Sequence, residues 1–363
     1  MPANEQTYSL GRPVALNEIG SELKKIWLEG EGAMTRASLV NLAVYSEQPG
    51  SLEKNTQLMA RITENHACRA LVIGANRESK ENSVEAWVNA HCHVSRAGGK
   101  QICSEQISFL LAGPCVQWLP SIVFSHLDSD LPLYLWWQDQ FPDQMDPQFW
   151  AWVDRLMFDS RTWKDFDKQM RLVETAEQEA KQRIVLCDLN WTRLDKVRYA
   201  IAQFFDHPSS HHHFSEMENV TVEFAPGYKS TAILLIGWLA AQLNWKTNQQ
   251  EMNGSCRFLG DHNRKIDIEL REKAGSPIGK IVLNSTTTKF CIAPAKCGDL
   301  LEVHRRGETE AALPQMMPAQ SNDPADLLTQ ELLRGGPHRV YLRAVNSVRA
   351  LLSPGSAPGA RHS

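Results

Sequence analysis

Histidines, cysteines and clustered Asp/Arg pairs are the residues of this chain whose types and spacing could do chemistry. His207 and His211-His212-His213, with Asp206 and Glu216 close by, form the one histidine cluster. Imidazoles and carboxylates at that density could hold a metal, but a closed site needs ligands fixed from several directions. A polar surface loop before the next strand explains the cluster more simply, and no metal is assigned. His91 and His93 share one face of a strand; they could be ligands, but a polar sheet face suffices for both. Cys291 and Cys297 lie on either side of Ala293-Pro294, a turn that could bring two strands within disulfide reach. They stand as a possible redox pair, with two ordinary thiols as the plainer alternative. Asp188, Arg193 and Arg198 cluster in one stretch, and Asp154, Arg155, Asp159 and Arg161 in another. Such groups could bind a sugar phosphate through Arg. Structural ion pairs at a domain junction are the expectation.

The signatures of nucleotide and acyl-transfer chemistry do not occur. There is no GxGxxG after a strand, no GxxxxGK[ST], no GxSxG and no HExxH. No catalytic residue and no cofactor is assigned.

The elements that must position these residues are legible in part. Asn17 can cap a helix with Ile19, Leu23, Ile26 and Trp27 on one face. Leu39–Tyr45 and Arg69–Ile73 read as short buried strands with a helix opening at Ser51 between them. Val84, Ala86, Val88, Ala90, Cys92 and Val94 alternate with polar or aromatic partners, the period of a strand with one face inward. Gly98-Gly99 turns it, and Gln101–Leu111 returns as the second strand of a hairpin. Leu131–Trp137 is apolar on both faces and predicts a central strand. Asp146-Pro147 starts a helix, and Arg155–Phe158 is a further strand. From Trp163 to Arg183 charges dominate a helical spacing, which predicts a solvated helix linking two domains. Helices over 194–205 and 231–245 and a strand at Asn219–Phe224 follow. Then come short strands at 255–259, 266–271, 280–283, 289–292 and 300–303, spaced as an antiparallel meander. Asp323-Pro324 opens a helix that Gly335-Gly336 ends, and a last helix follows.

The expected architecture is therefore an N-terminal mixed-sheet α/β domain over 1–180, ending in the charged helix. A C-terminal α+β domain with an antiparallel sheet covers 181–352, and a disordered tail 353–363. The length, 363 residues, suits two domains. The net charge of −4 argues against a nucleic-acid footprint. No apolar run approaches a membrane span, and Met1–Arg12 lacks the apolar core of a signal peptide. The 8 Cys, without CxxC spacing, are expected as reduced thiols of a cytoplasmic protein. The 11 Trp exceed what composition leads one to expect and could serve a core or a partner.

Several segments together resemble the OpcA-type glucose-6-phosphate dehydrogenase assembly protein family. They are Thr35–Tyr45, Ile62–Ala70, Cys103–Ile107, Asp130–Trp137, Asp154–Arg161, Asp188–Leu194 and Gly237–Trp245, in family order. The resemblance implies a two-domain, non-catalytic protein that binds glucose-6-phosphate dehydrogenase, promotes its active oligomer and activates it. It implies no cofactor. Relatives in photosynthetic bacteria are thioredoxin-responsive, which is where Cys291 and Cys297 would matter. Trp137, Arg161, Trp191 and Arg193 are the candidate partner-binding residues, the two arginines being the better candidates for solvent-facing contacts. A sugar-phosphate-handling enzyme and a redox-sensing adaptor are the alternative readings.

Overall fold

The computed structural model describes residues 10–29, 34–94, 101–143, 147–179, 184–205, 212–250, 255–306, 314–336 and 338–352. The predicted tail, the Gly98-Gly99 turn, Asp146, Asp206, His207 and His211 lie outside them. The chain divides into two compact units. The first comprises residues 1–159, 168–188 and 323–337, and the second 160–167, 189–322 and 338–363.

In the first unit β1 (Arg12–Pro13), α1 (Ile19–Glu29) and β2 (Met34–Arg36) lead into β3 (Asn41–Ser46) and α2 (Ser51–Thr63). β4 (Arg69–Asn76), the hairpin β5 (Ser83–Val94) and β6 (Gln101–Ala112), α3 (Leu119–Ser125) and β7 (Leu133–Trp137) follow. Then come α4 (Pro147–Trp150), β8 (Arg155–Phe158), α5 (Phe166–Glu179) and β9 (Val185–Asp188). The sheet runs β1-β5-β6-β4-β3-β7-β8-β9, with β2 also on β6. From β6 to β9 every pairing is parallel. Taken in chain order, those six strands stand third, second, first, fourth, fifth and sixth, the order of a doubly wound nucleotide-binding sheet. One departure is that β4 reaches β6 through the antiparallel strand β5 rather than through a helix.

The apolar runs become the centre of this sheet because parallel strands are covered on both faces. β3 is buried along its whole length, and Leu133, Leu135, Trp136 and Trp137 of β7 are buried beside it. β5 follows its alternation only in part. Ala86 and Val88 are buried, but so is His91 on the opposite face, while Cys92 is exposed. His91 Nε2 lies 2.8 Å from Gln106 Oε1, and Gln106 donates at 2.9 Å to Thr56 Oγ1 of α2 and to Ser108 Oγ. His93 meets Thr63 Oγ1 at 3.2 Å. The polar face thus packs against α2, and Nε2 of each histidine is spent on a hydrogen bond within that packing.

Burial holds the pKa of His91 below its ordinary 6.5, and does the same for His66 and His126. Below that value the unfolded chain binds more protons than the folded one, so stability must fall as pH falls. Urea midpoints are expected to drop between about pH 7.5 and 5.5, and His91→Gln should flatten part of that slope.

Two sequence expectations change here. The charged helix α5 is no free linker, since Met170 and Val173 are fully buried and residues 168–188 belong to the first unit. Val185–Asp188, which the boundary at 180 assigns to the second domain, extends the first sheet as its edge strand β9, paired with β8.

The second unit contains α6 (Leu189–Thr192), α7 (Asp195–Phe205), α8 (His212–Ser215), β10 (Met217–Phe224) and α9 (Lys229–Gln242). β11 (Lys246–Gln250), β12 (Ser255–Leu259), β13 (Lys265–Glu272), β14 (Ile278–Ser285), β15 (Lys289–Pro294), β16 (Leu300–Arg306) and β17 (Gln315–Pro318) complete its sheet, ordered β11-β12-β13-β10-β14-β15-β16-β17. The expected antiparallel pairing holds except that β10 and β13 run parallel. The chain leaves β10 through α9, so β10 takes its place between β13 and β14 instead of at the end of a meander. α9 is apolar all round, with Leu234, Leu235, Ile236 and Leu239 buried. A helix of that kind needs cover on more than one side, and β10, β13 and the last helix, α11 (Arg339–Leu352), pack against it.

Between β17 and α11 lies α10 (Pro324–Leu333), which belongs to the first unit. Its start follows the sequence signal: Asp323 caps it, accepting from the Ala325 N–H at 2.9 Å, with Pro324 at the first helical position. Arg61 of α2 pairs with Asp323 at 3.0 Å, and α10 packs on α2. A single cut near 180 therefore does not separate the units.

Candidate functional site

In a doubly wound sheet the ligand crevice lies beyond the strand ends where the order reverses. Here that is between β3 and β7. Tyr45 near the end of β3 stacks on Trp137 at the end of β7, with ring centroids 4.0 Å apart. Phe141 and Trp150 extend the aromatic floor. Trp137 Nε1 donates to the Gln140 carbonyl at 3.3 Å. Beyond the rings, Gln138 and Asn55 of α2 exchange two amide hydrogen bonds, at 2.8 and 3.1 Å. The Glu47 N–H donates to Asp139 Oδ2 at 2.7 Å, and the Ser46 and Gln48 side chains bond the same carboxylate. The Glu47 carboxylate turns the other way and accepts from Tyr45 OH at 2.6 Å and from Arg77 Nε at 2.7 Å. Burial, and then the bond to Glu47, keep the Tyr45 phenol protonated far above its usual range. Burial pushes Asp139 up, with the nearby Glu47 charge adding to it, against the bonds its carboxylate accepts.

Beside this lies a cleft of about 740 Å³, lined by Glu47, Ser51, Glu53, Asn76, Arg77 and Glu78 among others. The fold implies a dinucleotide at this place, but the residues do not fit one. A pyrophosphate needs free backbone N–H groups and glycines that let it approach. The turn Ser46-Glu47-Gln48-Pro49-Gly50 has one glycine, in left-handed conformation (φ 70°) directly before α2, and a proline without an N–H. Its Glu47 N–H is already bonded to Asp139, and the side chains around it are mostly acidic.

Three of the four sequence candidates belong to the second unit, where Arg161 and Arg193 meet on one ring and Trp191 packs elsewhere. The guanidinium groups of Arg161 and Arg193 lie 5.0 and 5.8 Å from the ring centre of Tyr228. Arg193 donates to Asn322 at 2.5 Å, and Asn322 donates to Tyr228 OH at 2.6 Å. Trp191 packs on Tyr341 and under the Arg198 guanidinium, 3.4 Å from its ring centre. Arg198 also pairs with Asp195. Trp191 is 1% exposed, Arg193 6% and Trp137 4%. These burials correct the expectation of surface contacts at Trp137, Trp191 and Arg193, whose groups are spent on aromatic and amide neighbours. Arg161 alone of the four keeps partial exposure. Sequence reasoning missed Trp118 and Trp152, which are 49% and 56% exposed. Trp152 stacks on Phe124 at 4.9 Å. Its place just after the short helix α4 was the available signal.

Among the described residues of the histidine cluster, His212 is exposed and His213 buried. His213 Nδ1 lies 3.3 Å from Ser285 Oγ, and Nε2 3.3 Å from Thr288 Oγ1 and 3.4 Å from the Arg305 guanidinium. Glu216 lies 3.8 Å from Nδ1, so with His212 three residues that could ligate sit close together. A guanidinium only donates, so Nε2 is the acceptor and Nδ1 carries the proton. That tautomer serves packing against the β14–β15 turn and leaves no lone pair facing Glu216.

The cysteines differ from expectation. Cys92 and Cys103 face each other across the hairpin and form a disulfide, with Cα atoms 4.1 Å apart. The chain's thiols are thus not all reduced. Cys291, on β15 opposite His304, and the exposed Cys297 in the following turn are both free.

Two family profiles match the chain, and together they take in most of it. Residues 59–175 match the glucose-6-phosphate dehydrogenase subunit N-terminal domain, OpcA_G6PD_assem, and residues 184–345 the corresponding C-terminal domain, OpcA_G6PD_C. The chain belongs to the OpcA-type glucose-6-phosphate dehydrogenase assembly protein family. The N-terminal match contains Trp137, Asp139 and Arg161, and the C-terminal one Trp191, Arg193, Cys291 and Cys297. Curated relatives carry the provisional name OxPP cycle protein OpcA. The one from Nostoc punctiforme is 25% identical over 72% of this chain and 60% of its own length. The Synechocystis one is 21% identical over 89% and 71%. This chain thus spans about three fifths of the Nostoc relative. Among solved structures, a levoglucosan dehydrogenase in complex with NADH and L-sorbose has a TM-score of 0.46 and 10% identity, covering 87% of this chain and 96% of that one. A UDP-N-acetylglucosamine 3-dehydrogenase from Acidithiobacillus ferrooxidans has a TM-score of 0.45 and 8% identity, over 87% and 96%.

Proposed function

We propose that this chain is a non-catalytic assembly factor and allosteric activator of glucose-6-phosphate dehydrogenase, acting in the cytoplasm. The observation that carries the reading is the paired match to the two domains of the assembly family. An activator needs a surface that binds one state of the enzyme better than another. Couplings of about 1–3 kcal/mol, or roughly 5- to 150-fold, are typical. If the partner's oligomer is marginal, binding only the assembled form raises its population by mass action. Neither route needs a nucleophile or a cofactor.

The test is steady-state kinetics of the cognate dehydrogenase with and without this chain, with light scattering of the mixture. Raised activity and a co-eluting complex are expected; no complex and no rate change would remove the proposal. Trp152 and Arg161 are the contact residues proposed. An exposed tryptophan held by a neighbouring ring suits an interface anchor. Trp152→Ala is expected to weaken the complex by about tenfold or more, read by titration calorimetry, with the thermal midpoint of the free chain unchanged.

A further inference from the structure

The strand order of the first unit creates a dinucleotide crevice, and we infer that this chain has closed it with its own carboxylate: Asp139, at the end of β7, sits on the backbone N–H of Glu47 in the first turn after β3, where a phosphate would be held. Three features act together. Asp139 Oδ2 takes the Glu47 N–H at 2.7 Å, so the first donor of the turn already serves an anion. The Asn55–Gln138 amide pair latches α2 to the segment after β7 across the mouth of the crevice. The Tyr45–Trp137 stack fills its floor.

Charge works in the same direction. Asp139 and Glu47 are the anions at this place, and the cation of the neighbouring cleft, Arg77, is paired with Glu47. Glu53 and Glu78 line the neighbouring cleft. Like charges at such distances oppose binding. Displacing Asp139 would also leave a half-buried carboxylate without the N–H that holds it. The crevice therefore keeps the topology of a dinucleotide site and uses its anion position internally, as a structural joint between β3, α2 and β7. This inference does not depend on the partner proposed above, because its test uses this chain alone.

The chain is titrated with NADP⁺, NADPH, NAD⁺ and NADH by calorimetry, with intrinsic tryptophan fluorescence as a second signal. No saturable binding tighter than about 1 mM is expected; micromolar binding of any of the four overturns the inference. Amide hydrogen exchange then tests the closing group. In Asp139→Ala the Glu47 amide is expected to exchange about tenfold faster or more, while β4 and β6 stay protected. Asp139→Asn keeps an acceptor and should fall between the two; it also serves if the alanine variant does not fold. Glu47 exchange unchanged in the folded variants would show that Asp139 is not what closes the crevice.

Discussion

Arg155→Met should lower the stability of the first unit by about 2–5 kcal/mol, the cost of taking the donor from two carbonyls at about 1–3 kcal/mol each. Arg155 points from β8 into the interior and is 5% exposed. Its guanidinium donates to the Glu331 carbonyl at 3.0 Å and to the Arg334 carbonyl at 2.9 Å. It also lies 3.4 Å from Cys187 Sγ on β9 and 5.0 Å from the centre of the Tyr134 ring. The two carbonyls are at the C-terminal end of α10, where a cation suits the helix dipole and unpaired acceptors gather. Close by, the Glu331 side chain is fully buried, and burial, with that carboxylate, pushes the Cys187 thiol well above its ordinary pKa. Methionine keeps the length and apolar stem but leaves the two carbonyls without this donor. Lysine should rescue little, since one ammonium cannot copy the planar fork that spans both carbonyls. The measurement is the thermal midpoint, with limited proteolysis across 323–337. A loss under about 1 kcal/mol would show that α10 is held by its packing on α2 alone.

Gly237→Val should be nearly as severe in the second unit. Gly237 lies within α9 where α11 crosses it. A Cβ there would stand 2.4 Å from Val348 Cγ2 and 2.8 Å from the Ala344 carbonyl oxygen. The first neighbour is a short branched side chain and the second is backbone, so neither yields without moving α11. Overpacking of this kind costs about 1–3 kcal/mol, more for the branched valine than for alanine. Alanine also gains about 1 kcal/mol of helix propensity over glycine, which offsets part of its clash. Val348→Ala in the Gly237→Ala background should recover part of the loss, because it removes the nearer contact and leaves the carbonyl. Denaturant midpoints of the two single variants and the double variant form the cycle that checks this. Strict additivity would mean that the two residues do not meet as described.

Much of the fold was legible wherever a signal is local. The strand at Arg155–Phe158, the hairpin from Ser83 to Ala112 and the Asp323-Pro324 helix start each follow from period, turn or cap chemistry within a few residues. The empty motif search and the ordered resemblance likewise came from short runs of sequence. Trp191 and Arg193 show why the candidate site was harder to read. A tryptophan or arginine has the same local signature in a core as at a surface, and only the neighbours, here Tyr341, Tyr228 and Asn322, decide between them. Cys92 and Cys103 illustrate the same limit: the hairpin was predicted, yet their pairing follows from its register.

The sequence by itself determined the periodic elements and the α/β and α+β composition. Tertiary structure decided the order of the strands, the return of residues 323–337 to the first unit and the seating of Asp139 on Glu47. Those three depend on contacts between residues far apart in the chain. Asp139 and Glu47 are 92 positions apart, and Arg155 and Glu331 are 176 apart. Local propensity acts over a turn or a strand, whereas closing separations of that size is decided by which buried surfaces and polar groups satisfy one another in the packed state.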